Sequence, residues 1–193
     1  MGPIVIDKPS DNEVNQWWEW VLNIPSKDSP FLGGQNVDKN QDKSFWCPTC
    51  TGGLGGKGGI DNNDRIINRG GRKKDNIIIP VFTRATCKEE LGPGASDGDA
   101  ANYSRERVEK ANVSVEINNM YTIVPTTLIL TGPFPAHVPA GNVLDEPSLQ
   151  GKAGDYTFYS AGYWLKIPSG DYRITFGGGK GDFVTRVTYV FGP

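Results

Sequence analysis

Apolar and polar residues alternate through much of the segment from residue 113 to residue 191, and this pattern most constrains the fold. Residues two apart on an extended strand point to the same face, so each run predicts a strand with one buried face. The alternating apolar residues are Val113, Val115 and Ile117, then Tyr172, Ile174 and Phe176, then Phe183, Val187, Tyr189 and Phe191. Turn-forming residues separate these runs at short intervals, which is typical of a β-sandwich or barrel. We predict a mainly β fold, specifically a two-sheet, jelly-roll-like sandwich.

The composition supports many short elements joined by turns. The chain has 193 residues, with Gly 25 and Pro 14, and both residue types favour turns over long helices. This length suits one domain with a substantial hydrophobic core, and no internal repeat or linker divides it. We therefore predict a single soluble β-rich domain over residues 1–193.

Two helices are expected beside the strands. Ser10 and Glu13 have the spacing of a capping box, which marks a helix N-terminus, and Pro25 ends the segment. An apolar stripe at helical spacing follows the cap, and its members are Val14, Trp17, Trp18, Val21 and Leu22. A second, short helix is predicted over residues 100–110, where Arg105 precedes Glu109 by four positions.

Residues 26–75 are predicted to be mostly loop, because they contain a glycine run at 52–59 and a polar stretch at 61–64. Phe45 and Trp46 interrupt them as a short strand. The isoleucine-rich segment 76–82 is predicted to be a buried strand, and residues 4–6 a further short one.

The charge balance and the hydropathy pattern exclude two classes of partner. The net charge is −2, from 20 basic and 22 acidic residues, so no basic excess favours nucleic acid. No apolar stretch is long enough for membrane insertion.

The N-terminus has neither a basic start nor a long apolar run, so no signal peptide is seen. The expected location is a virion or the cytoplasm of the producing cell.

Three cysteines and one histidine offer a candidate metal site. Cys47 and Cys50 form a Cys-x-x-Cys pair that Cys87 and His137 could complete as a Cys₃His zinc site. A redox pair is a second interpretation, although such a motif usually precedes a long helix and this one precedes glycines. The favoured interpretation is a set of thiols without a ligand, and we predict no metal and no cofactor.

A second candidate site would bind calcium. Asp38, Asn40 and Asp42 alternate like the oxygen ligands of a linear calcium loop. Lys43 and Thr49 occupy the positions where such a loop has glycine and a bidentate glutamate. A polar surface loop is therefore the preferred interpretation.

No catalytic motif is evident. His137 is the single histidine, and it lies in a proline-framed segment without a nucleophile elbow. We predict that the protein is not an enzyme.

The aromatic residues supply the candidate binding surface. Trp17 and Trp18 belong to the apolar stripe of the first helix and should be core. Trp20 falls off that stripe, so it could be exposed or an interface anchor. Tyr163 and Trp164 are the candidates for stacking on a carbohydrate.

Several short motifs occur in an order that resembles a little-characterised family of small β-rich proteins from marine archaea and bacteria. Similar reading frames occur in tailed phages of marine cyanobacteria. The motifs lie at residues 17–25, 45–46, 77–81, 162–165 and 170–178. The resemblance implies a β-rich fold and brings no catalytic residue with it. Many members of that family have a signal peptide, whereas none is seen here.

Two functions compete. The first is a non-enzymatic structural protein, such as a virion decoration or appendage protein, that acts by contacts with other protein subunits. The second is a module that binds carbohydrate or another ligand. Glycine allows close approach of another chain, so we predict subunit contacts at residues 52–59 and 177–182, or at the polar loop between residues 33 and 44.

Overall fold

A computed structural model describes residues 4–32, 38, 41–42, 44–49, 59–72, 74–141 and 152–193. The described helices are α1 (Asp11–Leu22), α2 (Lys88–Leu91) and α3 (Asp97–Val108), with 3₁₀ turns at Ser26–Asp28 and Pro30–Leu32. The strands are β1 (Gly59–Asn68), β2 (Asn76–Cys87), β3 (Asn112–Ile117), β4 (Tyr121–Ile123), β5 (Leu128–Val138), β6 (Gly154–Pro168), β7 (Tyr172–Lys180) and β8 (Phe183–Gly192). The prediction of a mainly β chain with two sheets is confirmed, and α2 was not predicted. None of these helices is long and apolar enough to cross a membrane.

The strands form two sheets of different size. The larger has five strands in the order β1-β8-β7-β3-β4, and the smaller has three in the order β2-β6-β5. Strand β1 runs parallel to β8, while the other pairs are antiparallel. The described part of the larger sheet therefore ends at β1 on one side and at β4 on the other.

The three-stranded sheet has a buried core on each of its two faces. Ile78, Trp164 and Phe158 lie in one core together with the apolar stripe of α1. Ile77 and Ile79 lie in the other core, which they share with the five-stranded sheet. Because consecutive residues of β2 face opposite cores, its segment 77–82 is a continuous apolar run.

Helix α1 forms as its cap and stripe predict. The Ser10 Oγ accepts a hydrogen bond from the Glu13 N–H at 3.3 Å, and the Glu13 carboxylate accepts one from the Ser10 N–H at 2.8 Å. The stripe residues Val14, Trp17, Trp18, Val21 and Leu22 are all buried. The Trp17 ring lies 5.1 Å from the Trp18 ring and 5.3 Å from the Trp164 ring, both edge-on.

The second predicted helix also forms, but α3 begins at Asp97 rather than at residue 100. The reason is a second capping box, in which the Ser96 Oγ accepts from the Asp99 N–H at 3.2 Å and Asp99 accepts from the Ser96 N–H at 2.8 Å. The cap moves the start of the helix three residues toward the N-terminus.

The prediction of loop over residues 61–64 is wrong, because these residues belong to β1. Of these four residues only Asp64 is in register with β8, because the pairing shifts between Ile60 and Asp64. Most of their side chains are exposed, so the segment lacks an apolar pattern. Arg65, which follows them, is buried and holds β1 against the preceding loops. Its guanidinium donates to Asp61 Oδ2 (2.9 Å), Pro30 O (3.1 Å), Tyr189 Oη (3.2 Å), Phe31 O (3.3 Å) and Thr49 Oγ1 (3.4 Å).

Two predicted short strands are reduced to single bridges. Residues 4–6 are not a strand, and only Asp7 pairs with Lys166. Trp46 makes one parallel bridge with Ile77, through hydrogen bonds of 3.0 Å to Asn76 O and from the Ile78 N–H. Both bridges are too short for a ladder, but the second covers part of the edge of β2.

Candidate interaction surface

The prediction that Tyr163 and Trp164 form an exposed stacking platform is wrong. Trp164 is 2% exposed and Tyr163 is 9% exposed. Both lie on β6, the central strand of the three-stranded sheet, so Trp164 packs in the core beside α1 and Tyr163 in the core between the sheets. Trp20 is half-buried, and its ring lies 5.8 Å from that of Trp17.

The three candidate zinc ligands that the structure describes are not grouped into one site. Cys47 and Cys87 are buried free thiols in the core beside α1. His137 lies exposed on β5, where its Nδ1 is 2.8 Å from Asp155 Oδ1. Cys50 lies outside the described residues. Within those residues, no three His, Cys, Asp or Glu side chains are grouped as metal ligands.

Burial also affects the reactivity of the two described thiols. Removal from water raises the pKa of Cys47, and the nearby Asp42 carboxylate adds to the effect. Burial and then the charge of Glu90 raise the pKa of Cys87. The thiolate is the nucleophilic form, so burial disfavours the reactive state of both side chains.

The candidate calcium ligands have local structural roles where they are described. Asp42 Oδ1 accepts a hydrogen bond from the Ser44 N–H at 2.7 Å, which closes a tight turn. Asp38 is half-buried, and Asn40 lies outside the described residues. Next to Asp42, the Gln41 amide bonds both the N–H and the C=O of Cys47, at 2.7 and 3.1 Å.

The structure describes one of the two glycine-rich segments that were predicted to contact other subunits. Residues 52–58 lie outside the described residues. Gly177, Gly178 and Gly179 belong to β7, and the turn is confined to residues 181–182. A Cβ on Gly178 would lie 2.8 Å from Val113 Cγ1, and one on Gly177 would overlap the Thr185 carbonyl oxygen. Packing within the chain therefore accounts for these two glycines.

An exposed apolar cluster lies at the β4 edge of the larger sheet. Met120 is 66% exposed, Tyr121 49% and Val124 61%. The turn before β4 has Asn118 and Asn119 in the left-handed region, at φ 53° and 55°, and is closed by the Met120 N–H bonded to Ile117 O at 3.1 Å. We call residues 120–124 the β4 edge; they carry no charge.

The other described sheet edges carry features that discourage pairing with another chain. Strand β1 has Asp61 and Asp64, β5 contains Pro133 and Pro135, and Trp46 covers part of β2. The β4 edge has none of these features, and no described segment except β3 pairs with it.

A groove with both polar and apolar lining residues crosses the outer face of the same sheet. Its floor is the backbone of Gly177 and Gly179, its walls include Asn112, Ser114, Glu116 and Arg186, and its volume is about 770 Å³. A second depression of about 450 Å³ adjoins it. The side chains of Glu116 and Arg186 form no hydrogen bond or ion pair with the described part of the chain.

One ion pair spans the adjoining depression. Arg173 on β7 reaches across β8 to Asp64 Oδ1 on β1, at 2.8 Å, and its guanidinium also donates to Asn119 Oδ1 at 3.3 Å. Beneath it, the Thr175 and Thr188 hydroxyls are 2.8 Å apart. These contacts fix the polar side chains on the face while leaving Arg186 exposed.

No family model matches this chain, and neither a curated protein nor a solved structure matches it. The resemblance to the β-rich marine family therefore stays a prediction.

Sequence reasoning missed both the β4 edge and the groove. The uncharged run 120–124 after the Asn118-Asn119 pair was the available signal for the first. No pattern in the sequence predicted the groove, because its lining residues come from strands that are far apart in the chain.

Proposed function

We propose that this protein is a non-enzymatic structural component of an assembly, such as a virion decoration or appendage protein, and acts by binding other protein subunits. The observation that carries the proposal is the exposed, uncharged β4 edge. A sheet edge of this kind is a ready template for pairing with another chain. A virion or the cytoplasm of the producing cell is the proposed location.

One further observation supports a non-catalytic role. Burial raises the pKa values of Cys47 and Cys87, which disfavours the nucleophilic thiolate form of each side chain. We also propose that the two sheets form a jelly-roll-like sandwich, which the core that they share supports.

The test is an inventory of purified particles from the producing organism. Quantitative mass spectrometry should find the protein at a fixed ratio to other particle proteins. A Met120→Ser/Val124→Ser variant should keep its melting temperature, because both side chains are exposed, but should be lost from the particle. Leu130→Ser is the matched control, since Leu130 is 52% exposed on β5. A protein found only outside particles contradicts the proposal.

A second candidate function is binding of a polar ligand such as a carbohydrate, and the groove over Gly177 and Gly179 favours it. Hydroxyl, amide, carboxylate and guanidinium groups line the groove, and such groups orient a polar ligand. A glycan array should then find a ligand whose binding is lost in Arg186→Ala. The control Arg105→Ala, on the exposed side of α3, should bind normally. An array without any ligand would leave the structural role as the better proposal.

A further inference from the structure

We propose that the partner of the β4 edge is a second copy of this chain, bound antiparallel about a two-fold axis at Thr122, so that two five-stranded sheets become one continuous sheet. This inference deepens the proposed function and rests on it. The candidate interface is the uncharged run Met120, Tyr121, Thr122, Ile123 and Val124.

The hydrogen-bonding pattern limits the possible registers. In an antiparallel ladder, pairs alternate between hydrogen-bonded and non-hydrogen-bonded types. Adjacent pairs are therefore not equivalent, and a two-fold axis perpendicular to the sheet has to pass through the centre of one pair. That pair consists of one residue and its own symmetry mate, which is residue 121, 122 or 123 within β4.

Of the three possible axes, the one at Thr122 gives the most compatible side-chain pairs. In that register Met120 pairs with Val124 of the second copy, and Tyr121 pairs with Ile123, so every pair is apolar except the central threonines. An axis at Tyr121 would place Asn119 opposite Ile123. An axis at Ile123 would place Pro125, which lacks an N–H, in the pairing. The Thr122 register excludes both Asn119 and Pro125, and it brings no like charges together.

Pairing would cover apolar surface on both faces of the sheet. Tyr121 and Ile123 pair with Ile117 and Val115 of β3, so they lie on the inner face, where Ile123 already packs against the core between the sheets. Thr122 lies on the opposite side by alternation, and Met120 and Val124, which flank β4, would join that side where the pairing extends over them. A second copy would therefore extend the inner core and also shield the exposed side chains of Met120 and Val124.

The small number of paired residues limits the affinity that we expect for the dimer. Five residues from each copy form an interface at the small end of specific protein contacts, below about 1,200 Å² in total. We expect a reversible dimer with a Kd on the order of 10 µM or weaker.

Disulfide trapping tests the axis directly. Paired residues in an antiparallel ladder have Cα atoms about 4.5–5.5 Å apart, which suits a disulfide. On a Cys50→Ser background, Thr122→Cys should give a covalent dimer under mild oxidation. Thr127→Cys, at an exposed threonine outside β4, should not. Equal trapping at both positions, or none at Thr122, overturns the proposal.

A charge variant gives an independent readout by sedimentation. Thr122 lies opposite Glu116 on β3, so Thr122→Glu would align four carboxylates across the symmetric interface and raise the Kd roughly tenfold or more. Thr127→Glu is the control, and melting temperatures verify that both variants fold. A wild-type chain that stays monomeric at several hundred micromolar also overturns the proposal. If the Thr122 tests fail while the particle inventory succeeds, the homotypic pairing is wrong and the structural role stands.

Discussion

Position 162 has no room for a side chain. A Cβ there would lie 2.5 Å from Thr83 Cγ2 and closer still to the indole nitrogen of Trp164. Gly162→Ala should therefore destabilise the protein by about 1–3 kcal/mol, because overpacking displaces the Trp164 ring. The measurement is the urea midpoint.

Gly192 provides the matched control for that substitution. A Cβ there has nothing within 4 Å, so Gly192→Ala should change the free energy of unfolding by less than about 0.5 kcal/mol. Equal effects at the two positions would contradict the packing argument at Gly162.

The charge of Glu13 gives a pH-dependent prediction. Burial acts to raise the pKa of this carboxyl, but hydrogen bonds from Lys166 and Ser10 outweigh it and hold the pKa below its ordinary value. A lowered pKa adds stability above the unfolded value of about 4.3, and that stability is lost as the pH falls through the folded value. Glu13→Gln should thus be less stable by about 1 kcal/mol at neutral pH.

Between neutral pH and about pH 3 the stability difference between the wild type and Glu13→Gln should shrink, because the wild-type carboxyl takes up its proton as the pH falls through its lowered pKa. Urea midpoints at both pH values make the comparison. The control is Glu106→Gln on the exposed face of α3, which should leave both midpoints unchanged. A Glu13→Gln difference that is the same at both pH values would show that shape, rather than charge, matters at this position.

At the scale of elements, β1 is tied to β8 by a buried polar network in addition to its backbone pairing. Tyr189 on β8 is its centre, since its hydroxyl accepts from the Thr49 N–H at 3.0 Å and from the Arg65 guanidinium at 3.2 Å. The network joins the two strands to the loop at Thr49. Such a contact between distant segments leaves no local pattern in the sequence.

Tyr189→Phe tests this network while keeping the ring. Loss of the hydroxyl leaves the buried Thr49 N–H without its acceptor, so the variant should be destabilised by about 1–3 kcal/mol in chemical denaturation. Tyr172→Phe is the control, because the Tyr172 hydroxyl has no hydrogen bond to the described residues. A Tyr189→Phe midpoint within error of the wild type would show that the network adds no net stability.

At the scale of the whole molecule, the three-stranded sheet couples the two cores. Ile78 packs beside α1, and its neighbours Ile77 and Ile79 pack between the sheets. Neither core can open without exposing a face of this sheet. Unfolding should therefore be a single cooperative transition, as in most small domains.

Two probes can test the cooperativity. Tryptophan fluorescence reports mainly the cluster of Trp17, Trp18, Trp20 and Trp164 beside α1, while far-UV circular dichroism reports both sheets. The two denaturation curves should coincide. Separate midpoints would mean that the core beside α1 unfolds independently of the core between the sheets.

The sequence alone determined the elements that have local signals. The capping box and stripe of α1 specify the helix and its buried face, and the alternation in β3, β7 and β8 specifies strands and their inner faces. These signals are local because cap hydrogen bonds and side-chain periodicity depend on residues at most a few positions apart.

Only the tertiary structure decided which faces and edges stay exposed. Trp164 was expected on a surface, but its strand lies between two cores. Residues 61–64 were expected in a loop, but they lie in a strand whose flanking residues pair with β8. The β4 edge and the groove arise because the order of strands leaves β4 at the end of the sheet and places the glycines of β7 between β3 and β8. Strand order depends on contacts between residues far apart in the chain, which no local pattern encodes.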